Sequence, residues 1–237
     1  MELKIYRDKQ EVAEQFSSFF ADRVKSEREY HVALSGGSTP KIVFDVLAEK
    51  FGSSINWRQI HFYWGDERCV PPTDADSNFK MTVEHLLAKI DIPYENIHRI
   101  KGEDEPQKEA LRYTEVLAEN LPEVNEIPQF DLVILGMGDD GHTASIFPHE
   151  IHLWHSEKSC EVAVHPDSGQ KRVSITGKII NGAKEVAFLV TGAGKAPKVG
   201  EIVNKSGNFQ FYPATLVAPK SGNLYWFLDE AAAANLS

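Results

Sequence analysis

Cysteine is scarce in this chain: only Cys69 and Cys160 occur in 237 residues, far apart and outside any CxxC spacing. That excludes a disulfide framework and a cysteine-based zinc site, and leaves two reduced thiols as the expectation. No charge-free apolar run reaches the length of a membrane span. The first residues, MELKIYRDKQEVAEQF, alternate charged with apolar side chains and lack the continuous apolar core of a signal peptide. A cytoplasmic protein with no membrane partner is expected. Positive charge is also in deficit. With 25 Lys and Arg against 35 Asp and Glu, the formal net charge is −10. The mean surface field repels nucleic acid, so no nucleic-acid partner is expected. An anionic ligand needs a local group of Lys, Arg and backbone N–H that outweighs this field.

Three catalytic motifs are missing as well. No GK[ST] follows a glycine-rich loop, so there is no Walker A site, and no GxSxG elbow supports an α/β-hydrolase serine. His149, His152 and His155 recur every three residues, but without HExxH or a carboxylate facial set they read as a solvated segment. No metal and no cofactor are expected.

What is present is an alternation of strand and helix. Short apolar strands are read at Leu3 to Tyr6, His31 to Leu34, Ile60 to Trp64 and 131 to 138, and later at Glu161 to His165, Arg172 to Thr176, Glu185 to Thr191 and Leu224 to Leu228. Between them, Val12, Phe16, Phe19, Phe20 and Val24 recur at helical spacing, as do Ile42, Val43, Val46 and Leu47. Further helices are read over Asn78 to Lys89 and Gln107 to Asn120. The pattern predicts an α/β fold, a mostly parallel sheet with helices on both faces, in a single domain over 1–237. The tail DEAAAANLS reads as a short helix or a frayed end. In such sheets ligands bind beyond the carboxyl ends of the strands.

Four post-strand segments carry candidate chemistry. In LSGGSTP, Gly36 and Gly37 permit a tight turn, Ser38 or Thr39 can cap the next helix, and the free N–H groups there suit an anion. A plain capped turn explains the segment equally well. In YWGDERCVP, Arg68 offers a planar fork for phosphate, beside Asp66 and Glu67; a solvated charge triplet is the bland reading. In LGMGDDGHTASIFP, Gly136, Gly138 and Gly141 match G-x-G-x-x-G, but Asp139 and Asp140 put negative charge where a pyrophosphate must sit. The glycines are better read as holding Asp140 and His142 at the mouth of the sheet, the carboxylate fixing the imidazole tautomer. In VTGAGKAP, Lys195 can supply a point charge to phosphate, with Arg172 a further candidate by its fork.

In this order, LSGGSTP, WGDERCVP, DSNFKM, LGMGDDGHTASIFP, VSIT, VTGAGKA and YWFLDEAAA resemble the 6-phosphogluconolactonase family over nearly the whole chain. GGSTP and TGxxK are shared with the related glucosamine-6-phosphate deaminases, whose matching segment looks like DGHIAFNEP. Phe147 stands where that glutamate falls, and a phenylalanine cannot relay a proton. The resemblance implies a Rossmann-like three-layer architecture of deaminase/lactonase type. It also implies His142 as general base, with the Gly36–Thr39 loop, Arg68 and Lys195 on the phosphate and Arg172 assisting. Asp140 would orient His142, and Asp66 would do so too or order its loop. The expected partner is a phosphorylated sugar lactone, and the expected assembly a monomer or small homo-oligomer. An amino-sugar phosphate deaminase or isomerase, a non-catalytic sugar-phosphate binder and, more distantly, a nucleotide-binding oxidoreductase remain as alternatives.

Overall fold

The computed structural model describes residues 1–25 and 28–236. Twelve strands occur in chain order: β1 (Glu2–Tyr6), β2 (Tyr30–Leu34), β3 (Ile60–Trp64), β4 (Asp66–Arg68), β5 (Ile97–His98), β6 (Glu123–Val124), β7 (Ile127–Pro128), β8 (Leu132–Leu135), β9 (Cys160–Val164), β10 (Lys171–Ile175), β11 (Glu185–Val190) and β12 (Leu224–Asp229). Among the described residues six α-helices lie between them: α1 (Lys9–Val24), α2 (Ser38–Phe51), α3 (Asn78–His85), α4 (Pro106–Asn120), α5 (Gly177–Gly182) and α6 (Ala196–Val203).

Seven strands form one parallel sheet in the order β1-β12-β11-β8-β2-β3-β5. Every residue of β2 and β8 is buried, as a central parallel strand covered on both faces requires. From β2 the chain steps outward to β3 and β5, then returns past β2 to β8. Crossovers of one hand therefore place helices on both faces. α2 packs between α1 and α3, while α4 packs on β9 and β10. The reversal leaves a crevice between the carboxyl ends of β2 and β8, where open α/β sheets take their ligands.

Local chemistry sets the helix starts. The Asp8 side chain accepts from the Glu11 amide to begin α1, and Ser77 accepts from Lys80 to begin α3. The expectation that Ser38 or Thr39 caps α2 is not met: Gly37 is the cap residue, at φ 110°, and no side chain bonds the first turn. α3 stops at His85 and a 3-10 turn, Leu87–Lys89, finishes the stretch read as one helix.

Two sequence-read strands belong elsewhere. β9 and β10 pair antiparallel, with β4 on the far edge of β10, in a separate three-stranded sheet. The six residues between β9 and β10 are too few for a parallel crossover, so the chain turns back on itself. β4 is the charged triplet Asp-Glu-Arg, which shows no apolar alternation. The tail forms turns and no helix through 236, and Ser237 lies outside the described residues. The buried apolar side chains, including Phe16, Phe44, Trp64, Phe188 and Trp226, form one contiguous cluster. Among the described residues no helix is long and apolar enough to cross a membrane.

Candidate active site

Beyond the ends of β2 and β8 opens a cleft of about 180 Å³. Its floor is Ser35, Gly36 and Gly37 after β2 and Gly136, Met137 and Gly138 after β8; its walls include Arg68, Asn78, His142 and Arg172. These segments are far apart in sequence, and the switch in strand order brings them together.

The turn after β8 builds a His–Asp pair. His142 Nδ1 lies 2.6 Å from Asp140 Oδ1, and the His142 amide donates to the same oxygen at 3.1 Å. Gly141, at φ +84°, makes the reversal between them. Gly138 is required by contact: a Cβ there would fall 2.1 Å from His142 Nδ1 and 2.7 Å from Asp140 Oδ1. Burial alone would raise the Asp140 carboxyl, but the bonds and charge of His142 and its amide outweigh it and hold Asp140 at about 2. The carboxylate thus stays charged and favours an N–H at Nδ1, the tautomer whose lone pair sits on Nε2. Phe147, 1% exposed, backs the imidazole with ring centroids 4.6 Å apart.

Opposite stands a pair of arginines. Arg68 of β4 and Arg172 of β10 are directly opposed across the antiparallel ladder, so both side chains project from one face. Neither forms an ion pair among the described residues. The Nε of each is buried without a hydrogen-bond partner. The contacts they do make are neutral: Arg68 donates to the Asp76 carbonyl, and Arg172 donates to Ser145 Oγ at 3.4 Å. Burial, with the neighbouring Arg68 charge, pulls the Arg172 guanidinium down despite the opposing field of Asp66. Like charges held side by side and partly desolvated are destabilising unless an anion joins them.

Other candidates sit differently from expectation. Asp66 lines the cleft but does not bond His142; its carboxylate accepts from Ser145 Oγ at 2.6 Å, fixing the hydroxyl to which Arg172 donates. Ser38 is exposed and outside the cleft wall. Thr39 is buried with Oγ1 2.7 Å from Thr191 Oγ1, tying the β2 loop to the end of β11. Lys195 pairs with Asp139 at 2.6 Å and is not part of the wall.

Two contributors escaped the sequence reading. Asn78 packs so tightly that a Cβ on Gly36 would fall 1.9 Å from its Oδ1, and its Nδ2 donates to the Asp66 carbonyl. Ser145 links Asp66 to Arg172. The motif DSNFKM was visible, but nothing local aims Asn78 at Gly36. Among the described residues no group of three or more His, Cys, Asp or Glu is arranged to hold a metal.

Comparison with known proteins places this geometry. Residues 7–226 match the model of the family described as glucosamine-6-phosphate isomerases/6-phosphogluconolactonase. The 6-phosphogluconolactonase of Treponema pallidum is 45% identical, covering 86% of this chain and 85% of that one; that of Haemophilus influenzae is 47% identical, covering 85% of each. The solved structure of 6-phosphogluconolactonase from Trypanosoma brucei superposes with a TM-score of 0.84 at 28% identity, covering 100% of this chain and 98% of that one. A monomeric glucosamine-6-phosphate deaminase shares the fold, with a TM-score of 0.85 at 18% identity, covering 99% of this chain and all of that one. This chain therefore belongs to the family of glucosamine-6-phosphate isomerases and 6-phosphogluconolactonases.

Proposed function

We propose that this chain hydrolyses 6-phospho-D-glucono-1,5-lactone to 6-phosphogluconate. One observation carries the reading: an imidazole tied through Nδ1 to a charged carboxylate lines the same cleft as two arginines that form no ion pair among the described residues. In this reading the phosphate takes the place of the missing counter-ion between Arg68 and Arg172, above the Gly36–Gly37 turn and the start of α2. Binding at the remote phosphate then orients C1 of the lactone beside His142. Nε2 accepts a proton from water as its oxygen bonds to C1. When the ring C1–O bond breaks, the imidazolium returns that proton to the departing oxygen. Asp140 is a positioning residue. Arg68 also stands where it can offset charge on the carbonyl oxygen.

The phosphate role first expected of Lys195 passes to Arg172, because Lys195 is engaged by Asp139. Ser38 and Thr39 contribute backbone at most. Phe147 supports the lactonase over the deaminase reading, since it fills the space beside the imidazole with a ring that carries no proton.

The test generates the lactone in situ from glucose 6-phosphate and follows its loss. Ring opening well above the spontaneous rate is expected, with no ammonia released from glucosamine 6-phosphate. Loss at the spontaneous rate overturns the proposal.

A further inference from the structure

Asn78, the first residue of α3, is a wall residue of the cleft that the hydrolytic steps leave unused. Its side chain has one orientation. The Asp66 carbonyl can only accept a hydrogen bond, so the amide nitrogen faces it, at 2.9 Å, and Oδ1 faces away. There Oδ1 lies against Gly36, where a Cβ would fall 1.9 Å from it. Glycine at 36 is thus what leaves room for the amide. Oδ1 accepts no hydrogen bond among the described residues, and unlike the buried Nε atoms of Arg68 and Arg172 it is not sealed from the cleft. The backbone of Asn78 is held as firmly. Glu67, 2% exposed, accepts on Oε1 from the amides of Arg68 and Asn78, each at 2.8 Å. Its Oε2 accepts from the Phe79 amide at 2.7 Å and the Ser77 hydroxyl at 3.0 Å. One buried carboxylate oxygen therefore sets the spacing between an arginine of the proposed phosphate site and the Asn78 acceptor. An acceptor fixed in advance needs little further ordering when a donor arrives.

We infer that Asn78 Oδ1 accepts a hydrogen bond from a hydroxyl of the bound sugar phosphate, and so sets a preference for polyhydroxylated chains over bare ones. The inference rests on the sugar-phosphate reading of the cleft. A carbonyl oxygen has no proton to offer and repels the oxygens of phosphate and carboxylate, so among the groups of such a ligand only a hydroxyl satisfies it. A ligand without that hydroxyl leaves the oxygen unpaired, which is how polar sites reject deoxygenated analogues.

Calorimetry compares three probes: 6-phosphogluconate, inorganic phosphate, and 6-phosphohexanoate, which keeps the chain length and both anionic ends but has no hydroxyl on its chain. The unmodified protein should prefer 6-phosphogluconate to 6-phosphohexanoate. In Asn78→Leu that preference should narrow about tenfold, with inorganic phosphate bound as before. Asn78→Asp keeps an acceptor oxygen; both six-carbon probes should weaken together through its charge, so their ratio holds within about twofold. His142 and Asp66 remain as acceptors in both variants, so the preference narrows without vanishing. Should Asn78→Leu fail to melt cooperatively, the Asn78 side-chain amide resonances of the unmodified protein decide, identified by their loss in Asn78→Asp. They should move with 6-phosphogluconate and stay with 6-phosphohexanoate. A preference unchanged in Asn78→Leu, a matching loss of inorganic phosphate affinity, or amide resonances indifferent to the hydroxyls overturns the assignment. None of these measurements uses turnover. Lactone loss at the spontaneous rate with a narrowed preference would end the lactonase reading alone, whereas no binding of 6-phosphogluconate to the unmodified protein would overturn both.

Discussion

His142 stands beyond the carboxyl end of β8, whereas His31, His61 and His98 stand within β2, β3 and β5 of the same sheet. The first has a carboxylate 2.6 Å from one nitrogen and a cleft before it. The others stack on one another, His31 on His61 at 4.8 Å and His61 on His98 at 5.6 Å, with Tyr63 closing the column 4.4 Å from His98. Their nitrogens meet mostly neutral partners: His61 Nδ1 faces His98 Nε2, and His31 Nδ1 faces the Tyr63 hydroxyl, each at 3.3 Å. Burial lowers all three, and lowers His98 to about 4. A ring in that environment is packing, kept neutral by the apolar sheet. A ring beside a fixed carboxylate is held in one orientation at the cleft. On the proposed reading the surroundings decide between base and filler, and each end can be broken separately.

The largest effect is expected from His142→Gln. Turnover of the lactone should fall by about 100-fold or more with KM little changed, because on the proposed reading only the general base is lost. Turnover retained within a few-fold would make His142 another packing histidine. Next comes Gly138→Ala. Its Cβ would overlap the imidazole, so the ring must move away from Asp140, and a displacement near 1 Å costs about 10–100-fold in rate. Ring NMR should show the Nδ1 proton leaving the Asp140 bond; an unchanged ring with an unchanged rate would refute the positioning role.

Arg172→Leu sharpens the contrast from the binding side. Losing one guanidinium should raise KM about tenfold, since a charge-assisted bond is worth about 1.5–3 kcal/mol. The melting temperature should hold or rise, as the variant also removes a like-charge contact across the ladder. A lower melting temperature with KM unchanged would make Arg172 structural.

How much of this was legible in the sequence follows the reach of each interaction. The buried strands β2, β8 and β11 announce themselves as continuous apolar runs, and Asp140 with His142 was readable because two residues and a glycine turn suffice to join them. β4 was hidden, because Asp-Glu-Arg becomes a strand only by pairing with β10 more than a hundred residues later. Long separations also hid the partners of Asp66, Thr39 and Lys195, which are Ser145, Thr191 and Asp139. Sequence names a polar side chain near a strand end. Which way it points depends on what the fold brings opposite, and for these three it brought a competing partner.

The smallest effect on rate, and the cleanest view of the other end of the sheet, should come from His98→Phe. In the folded chain His98 falls from its ordinary value of 6.5 to about 4, first through burial and then through the charges of His61 and His31. His31 and His61 are lowered too, chiefly by burial; the carboxylates of Glu29 and Asp131 oppose this at His31, while Lys184 and His61 add to it. A depressed base favours the folded state only while neutral. The stability is therefore complete above 6.5 and is lost as pH falls toward 4, a loss on the order of 1–3 kcal/mol. Asp140, held at about 2 against an ordinary 3.8, contributes above 3.8 and is lost only below it, so the two windows separate. His98→Phe preserves the stack with Tyr63 and removes the titrating group. Its melting temperature should fall less than that of the parent between pH 6.5 and 4, while lactone turnover near neutrality stays within about twofold. An unchanged acid slope would show that His98 does not contribute to acid sensitivity, and a large loss of turnover would show that the two ends of the sheet are coupled.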